Sequence, residues 1–258
     1  MRAYIEILVL ISVILALSFL ALISGAYVIP GESIRGLAAF YLSTTFNATY
    51  PYTANSPEAV TAIVWDYRGL DTLYETAVFY LALMAGLALA RGLPLKVHRT
   101  SNPGLSVIVK TAARLTAPMI LAVGISIGLH GHLTPGGGFQ GGATVAVIPL
   151  TMIVAFSLAF MAERGVSREK LLALRSAGLV GIGVTSIAVF LLGLIEGVNA
   201  YVFQSMPKPG SPIGMPAEMF GALTSGVLWF FNLFELAAVA AGFSLAFVIL
   251  LAPGGGGK

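Results

Sequence analysis

Residues 130–142 read His130-Gly131-His132-Leu133-Thr134-Pro135-Gly136-Gly137-Gly138-Phe139-Gln140-Gly141-Gly142, and they join two long apolar segments. Six of these thirteen residues are glycine and one is proline. Glycine adopts backbone conformations that other residues resist, and it lets neighbouring membrane helices approach closely. Two interpretations follow from these residues alone: a specialised backbone element in a membrane assembly, or a flexible hairpin loop.

The composition of the whole chain is that of a membrane protein. Hydrophobic residues make up 57% of the 258 residues, charged residues make up 10%, and the mean hydropathy is +0.92. A soluble domain carries about 25% charged residues, so this chain cannot cover a water-facing surface. It contains no cysteine, which excludes thiolate zinc sites and iron–sulfur clusters held by this chain. We therefore predict an all-α integral membrane protein without a metal site or cofactor.

Six apolar runs are long enough to cross a bilayer, which takes roughly 20 residues each. They cover residues 5–29, 72–91, 107–129, 140–162, 174–195 and 226–251. With the N-terminus in the cytoplasm, eleven of the 14 Lys and Arg residues, Arg175 among them, fall in cytoplasmic segments. Because cytoplasmic loops carry excess positive charge, we predict six transmembrane helices with both termini cytoplasmic. The chain carries no basic patch interleaved with aromatic residues, so we expect no nucleic-acid partner.

A linker around residues 92–106 contains Pro, Gly and charged residues. It divides the chain into a two-helix module, residues 1–95, and a four-helix module, residues 105–258. A second proline-rich stretch, residues 196–224, is too apolar for a free linker, so we predict that it is ordered. In the first module, Thr72 and Glu75 have the spacing of a capping box, which predicts that a helix begins near Thr72.

Ionisable residues at membrane depth are expensive and need a reason. Glu235 falls near the middle of the sixth span, and the same span has no basic residue within two turns. It is either a relay group for protons or cations, or a neutral acid in an interhelical hydrogen bond. Glu75, one turn into the second span, is either a relay group or a capping carboxylate. Asp71 is a further relay candidate in the same segment.

The remaining candidates are cations and imidazoles. His130 and His132 could exchange protons near neutral pH or bond to the loop backbone, and without a third ligand they make a poor metal site. Lys110 and Arg114 share one helix face. They either extend to the membrane interface or contact anionic lipid or a partner carboxylate.

Two stretches resemble multisubunit sodium/proton antiporters of the Mrp type. Residues 131–142 are similar to the pattern Gly-His-(Asn)-x-Pro-Gly-Gly-Gly-Phe-x-Gly-Gly of the B-type subunit, from which Leu133 departs, and the resemblance extends over residues 105–255. Residues 64–76, Val-Trp-Asp-Tyr-Arg-Gly-Leu-Asp-Thr-Leu-Tyr-Glu-Thr, are similar to hydrophobic-Asp-Phe-Arg-Gly-Phe-Asp-Thr-Leu-Gly-Glu near the C-terminal end of the large A-type subunit. That module covers residues 57–92. Both modules also occur in archaeal membrane-bound hydrogenases.

The resemblance implies a multi-pass subunit of the cell membrane that lines or supports the ion path of a cation/proton translocating module. Its partners would be other subunits of the complex, membrane lipid, sodium ions and protons. The signature residues that it carries over are Pro135, Gly136, Gly137, Gly138, Phe139, Gly141 and Gly142. The alternative is a structural subunit in the membrane arm of a respiratory hydrogenase or related redox complex. In either complex this chain is not catalytic by itself.

Overall fold

The structure, a computed structural model, describes residues 2–25, 34–90 and 104–251. In these ranges the chain is helical apart from loops and a two-stranded antiparallel hairpin. Its contacts divide it into two units, Met1–Ala39 and Phe40–Lys258. The elements are α1 (Arg2–Ile23), α2 (Gly36–Thr44), α3 (Ala59–Thr61), a π-helical turn (Ala62–Tyr67), α4 (Gly69–Leu89), α5 (Val107–Leu129), α6 (Gly138–Ala155), α7 (Leu158–Glu163), α8 (Arg168–Glu196), β1 (Glu218–Met219), β2 (Ala222–Leu223) and α9 (Leu228–Leu250).

Among the described residues, six helices are long and apolar enough to cross a membrane, which confirms the predicted number. They are Tyr4–Ile23, Gly69–Leu89, Val107–Leu129, Gly138–Ala155, Arg168–Glu196 and Leu228–Leu250. Each overlaps one predicted span. Part of the first predicted span, residues 26–29, and most of the predicted linker between the modules, residues 92–103, lie outside the described residues.

The fourth span is shorter than its hydropathy predicts, because α6 ends at Ala155. The side chain of Ser157 accepts a hydrogen bond from the backbone N–H of Phe160 at 3.1 Å, and it thereby caps the separate helix α7. The carbonyl oxygen of Ala155 accepts a bond from the backbone N–H of Leu105 at 3.0 Å. A hydropathy window registers neither contact, so it joins two helices into one.

The fifth span is longer than predicted. The side chain of Ser167 accepts a bond from the backbone N–H of Lys170 at 3.3 Å, and α8 begins at Arg168. Arg175 therefore lies two turns inside the helix and is only 1% exposed. The predicted span begins only at residue 174, because the polar residues that form the first turns of α8 lower the hydropathy there.

The start of α4 also differs from the prediction. The π-helical turn leads directly into α4 at Gly69, and Arg68 occupies the N-cap position without a side-chain cap. The hydroxyl of Thr72 is buried and donates to the carbonyl oxygen of Val64 at 2.6 Å. The predicted capping box is therefore wrong, since Thr72 binds the preceding turn rather than the N–H of Glu75.

Small residues let the helices of the larger unit pack closely. A Cβ atom on Gly141 of α6 would lie 2.6 Å from the carbonyl oxygen of Gly124 on α5. A Cβ atom on Gly142 would lie 2.8 Å from the carbonyl oxygen of Leu236 on α9. Both distances are shorter than a carbon–oxygen contact allows, so these glycines set the spacing of α5, α6 and α9.

Helix ends and loops from three segments meet in what we call the polar cap, residues 40–68, 130–137 and 197–227. Thr61 donates to the carbonyl oxygen of Gly131 at 2.6 Å, and Ser225 donates to that of Asn55 at 2.7 Å. These bonds join both predicted modules. The proline-rich stretch is ordered, as predicted: the ammonium of Lys208 donates to the carbonyl oxygen of Thr53 at 2.9 Å, and the backbone N–H of Met215 donates to that of Ser205 at 2.9 Å.

Candidate functional site

Glu235, in α9, is the most deeply placed carboxylate that the sequence singled out. It is 7% exposed. The indole N–H of Trp65 and the backbone N–H of Phe139 lie close to its carboxylate. Trp65 is itself held by stacking on Phe231, with ring centroids 4.3 Å apart and an interplanar angle of 2°. One carboxylate thus connects the π-helical turn, the start of α6 and α9.

The first turn of α6 approaches this carboxylate because residue 138 is glycine. The backbone N–H of Gly138 donates to Oδ1 of Asn232 at 3.3 Å. A Cβ atom on Gly138 would lie 2.6 Å from Cβ of Glu235 and 2.5 Å from the carbonyl oxygen of Asn232. A helix N-terminus carries partial positive charge, so this arrangement favours an ionised carboxylate at Glu235.

A cavity of about 270 Å³ connects Glu235 with Glu75, and we call it the relay cavity. Glu235 lies at its buried side, whereas Glu75 is exposed on the surface of α4. The volume holds several water molecules, since each takes about 30 Å³ in the liquid. The polar side chains that line it belong to Thr61, Thr72, Glu75, Gln140, Asn232 and Glu235.

One amide group in the relay cavity lacks a partner. Nδ2 of Asn232 is buried and has no hydrogen-bond partner within the described part of the chain. Buried donors are nearly always satisfied by protein or water, so water in the cavity would complete its bonding. A hydrated cavity with a carboxylate at each side can pass a proton between them, and its side-chain oxygens can also bind a cation.

The glycine signature supplies the backbone around this cavity. Gly136 and Gly137 both have φ of +149°, which favours glycine. A Cβ atom on Gly131 would lie 2.5 Å from Cα of Gly137. The backbone is unusual, as one of the two interpretations expects, and its role in a membrane assembly stays a prediction. The alternative of a flexible hairpin is wrong for residues 138–142, because they form the first turns of α6.

Two signature side chains take different positions. The phenyl ring of Phe139 lines the relay cavity and lies 6.0 Å from the ring of Phe243, centroid to centroid. Pro135 is exposed in the turn before Gly136. Phe139 therefore belongs to the site, whereas Pro135 lies in the turn that leads to it.

Asp71, His130 and His132 do not line the relay cavity. Asp71 is exposed and forms an ion pair with Arg68. His130 is exposed, and its Nδ1 lies 2.9 Å from the carbonyl oxygen of Ser126. These positions separate all three candidates from the two glutamates.

His132 is buried in the polar cap. Its Nε2 lies 2.7 Å from the carbonyl oxygen of Leu223, so Nε2 carries the proton and donates. Nδ1 is buried with no hydrogen-bond partner among the residues that the structure describes. Burial lowers the pKa of His132, although the bond to Leu223 opposes that shift.

Lys110 and Arg114 lie near the start of α5, at the end remote from the polar cap. Their cationic groups lie over the ring of Phe156, at 5.7 and 4.9 Å from its centroid. That ring in turn stacks on Phe160 with centroids 4.3 Å apart. Within residues 2–25, 34–90 and 104–251, no group of three His, Asp or Glu side chains is close enough to hold a metal ion.

The sequence interpretation missed Trp65, Gln140 and Asn232 as residues of the site. Asn232 could have been found, because it precedes Glu235 by three residues and therefore shares its helix face. Gln140 lies inside the quoted signature. Trp65 gives no signal in one sequence, since its contact with Glu235 joins distant parts of the chain.

Comparison with known proteins identifies a family that matches this chain. The family described as "domain related to MnhB subunit of Na+/H+ antiporter" matches residues 108–245. The chain is also similar to the uncharacterized protein MJ1307 of Methanocaldococcus jannaschii, with 28% identity over 253 residues. That alignment covers 90% of this chain and 91% of the relative.

Two solved structures are similar over nearly the whole chain. One is a chain of the membrane-bound sulfane sulfur reductase, an archaeal respiratory membrane complex. It is 30% identical with a TM-score of 0.72, over 96% of this chain and 98% of that chain. The other is a chain of the Mrp complex from Dietzia sp. DQ12-45-1b. It is 20% identical with a TM-score of 0.66, over 97% of this chain and 26% of that chain, and it supports the fold alone.

Proposed function

This chain belongs to the family of domains related to the MnhB subunit of Na+/H+ antiporters, and we propose that its relay cavity moves protons or sodium ions between Glu235 and Glu75. It is a multi-pass membrane subunit of an Mrp-type antiporter module, with other subunits as partners. The relay role rests on one observation above all: two carboxylates line the same cavity, one buried and one exposed.

The surroundings of Glu235 support a group that changes its charge state. Burial favours the neutral acid. The N–H groups of Trp65 and Phe139 close to the carboxylate favour the ionised form, as does the start of α6. Because these influences oppose one another, the binding of a proton or a cation can change the charge state of Glu235. A purely structural hydrogen bond would not need a second carboxylate and a cavity beside it.

Glu75 is the group through which the path leaves this chain. It is exposed on a helix that crosses the membrane. A carboxylate facing lipid is costly, so a neighbouring subunit covers it in the complex. The remaining exposed apolar residues of α4, such as Tyr74 at 67% and Val78 at 64%, fit that same subunit contact.

The orientation with both termini cytoplasmic rests on the distribution of Lys and Arg. It places the polar cap outside and Lys110 and Arg114 at the cytoplasmic interface, where they contact anionic lipid. Because the chain contains no cysteine, single Glu169→Cys and Phe220→Cys variants report one position each. Labelling Glu169→Cys from the cytoplasm and Phe220→Cys from outside is expected, and the reverse pattern would refute the orientation.

The relay is tested by Glu235→Gln and Glu75→Gln in the complete complex. Glutamine keeps the shape but removes the exchangeable proton and the charge. We expect both variants to assemble and at least one to lose about tenfold in sodium-dependent proton movement in inverted vesicles, equivalent to roughly 1.4 kcal/mol on the limiting step. Asp71→Asn, an exposed carboxylate outside the cavity, is the matched control and should transport normally. Normal transport by both glutamine variants would leave the chain a structural subunit.

A redox-driven parent complex is the second candidate, because the 30% identical relative belongs to a respiratory membrane complex. Mass spectrometry of the complex purified through this chain separates the two. Only antiporter subunits are expected for a free-standing antiporter. Stoichiometric redox subunits would identify the chain as part of a respiratory membrane arm.

A further inference from the structure

Three phenyl rings form a cluster beside the relay cavity, and one of them, that of Phe139, lines it. Phe79 of α4 lies 4.9 Å from Phe243 of α9, and Phe139 of α6 lies 6.0 Å from Phe243, measured between ring centroids. Phe79 follows Glu75 by four residues and Phe243 follows Glu235 by eight. Phe79 and Phe243 therefore lie one to two turns beyond the carboxylates along α4 and α9, whereas Phe139 lines the cavity and its ring neighbours that of Phe243. We call these three rings the aromatic layer.

Arg175 of α8 lies directly beyond the aromatic layer. Its guanidinium carbon is 5.1 Å from the ring centroid of Phe79 and 4.7 Å from that of Tyr80. A Cβ atom on Gly242 would lie 3.1 Å from its Nε. Gly242 follows Glu235 by seven residues, which is about 10 Å along α9 and on the same face. The positive charge thus lies about two turns beyond the relay carboxylate.

The charge of Arg175 is not neutralised within the described part of the chain. Its Nε and Nη1 atoms are buried, and neither has a hydrogen-bond partner in the described ranges. Arginine stays protonated in proteins, and a buried charge without a partner is costly. Ring contacts with Phe79 and Tyr80 offset part of that cost.

A fixed positive charge behind an apolar layer opposes the passage of cations, because like charges repel strongly where water is excluded. We propose that Arg175 and the aromatic layer form a barrier that prevents protons and sodium ions from passing along α4 and α9 beyond the relay cavity. Ions that reach Glu235 then leave sideways, through the exposed Glu75, into the neighbouring subunit. This inference rests on the proposed relay function and adds the direction of the path.

The test measures passive leak in vesicles that contain the complete complex. Arg175→Met removes the charge but keeps a long side chain, and we expect passive sodium and proton leak to rise at least about tenfold, roughly 1.4 kcal/mol. Arg175→Lys keeps the charge, so vesicles with this variant should show the low passive leak of the wild type. Lys170→Met removes an exposed cation from the same helix and is the matched control. Its passive leak should also remain at the wild-type level.

The double variant Arg175→Met with Glu235→Gln shows which route the leak takes. If the barrier guards the relay cavity, the second substitution lowers the leak. The inference is overturned if the double variant leaks as much as Arg175→Met alone. It is also overturned if Arg175→Met leaks no more than the wild type. If Arg175→Met does not assemble, Arg175→Gln keeps hydrogen-bonding capacity and carries the same expectations.

Different measurements test the barrier and the relay. Coupled transport by Glu235→Gln tests the relay without using Arg175. Normal coupled transport in both Glu235→Gln and Glu75→Gln, together with a leaky Arg175→Met, would reject the relay. Lost coupled transport in Glu235→Gln, together with a tight Arg175→Met, would reject the barrier and keep the relay.

Discussion

The polar cap and the transmembrane helices of the larger unit are held together in different ways. In the cap, segments far apart in sequence meet through specific polar pairs, such as Thr61 with Gly131 and Ser225 with Asn55. In the helices, glycines such as Gly141 and Gly142 bring backbones into contact. Cap contacts therefore depend on the pairing of polar groups, whereas helix contacts depend on volume. Glu235 lies where the two regions meet and depends on both.

The largest effect should come from adding volume in the helices. A Cβ atom on Gly142 would lie 2.8 Å from both the Leu236 carbonyl oxygen and Cβ of Val239. Gly142→Ala should therefore force α6 and α9 apart and cost about 3 kcal/mol. Gly183→Ala is the matched control, because nothing lies within 4 Å of its Cβ position. Thermal unfolding in detergent compares them, and equal melting temperatures would contradict the role assigned to Gly142.

An effect of similar size is expected from the buried ion pair of the cap. Nζ of Lys208 lies 2.6 Å from a carboxylate oxygen of Asp66, whose side chain is 0% exposed. Burial raises the pKa of Asp66, and the Lys208 ammonium opposes that shift. Lys208→Met should destabilise the protein by about 3 kcal/mol, because it leaves a buried carboxylate without its partner.

The exposed ion pair between Arg68 and Asp71 provides the control for that experiment. Asp71→Asn should cost less than about 1 kcal/mol, since exposed pairs contribute little. Adding Asp66→Asn to Lys208→Met should recover part of the lost stability. If Lys208→Met and Asp71→Asn cost the same in chemical unfolding, the cap does not depend on its buried pair.

The features that the sequence predicts are those encoded by nearby residues. Apolar runs predict the six spans, and the glycine run predicts an unusual backbone. Two differences, at the end of α6 and the start of α8, involve single serine caps. Ser157 interrupts an apolar run, and Ser167 begins a helix among polar residues that hydropathy leaves out of the span. The contact between Trp65 and Glu235 could not be predicted, because it depends on how distant segments pack. The same is true of the burial of Arg175, which charge counting predicts only to lie on the cytoplasmic side.

The smallest effect concerns pH and the cap. Because the folded-state pKa of His132 is lowered by burial, the unfolded chain binds the proton first as the solution becomes acidic. The resulting stability is present above the unfolded pKa of about 6.5 and is lost as pH falls through the folded pKa, by at most about 1.4 kcal/mol per pH unit. His132→Gln should remove this part of the pH dependence of the melting temperature, and His130→Gln should keep it. An unchanged pH profile in His132→Gln would contradict the assignment.

The relay claim is tested most directly by observing the protonation of Glu235 itself. Infrared difference spectra of the complex, recorded between sodium-free and sodium-containing buffer, report carboxylic acids that lose or gain a proton. The account predicts a carboxylic-acid band in the wild type that disappears in Glu235→Gln and persists in Asp71→Asn. Identical difference spectra for the wild type and Glu235→Gln would contradict it, because Glu235 would then keep one charge state whether or not sodium is present.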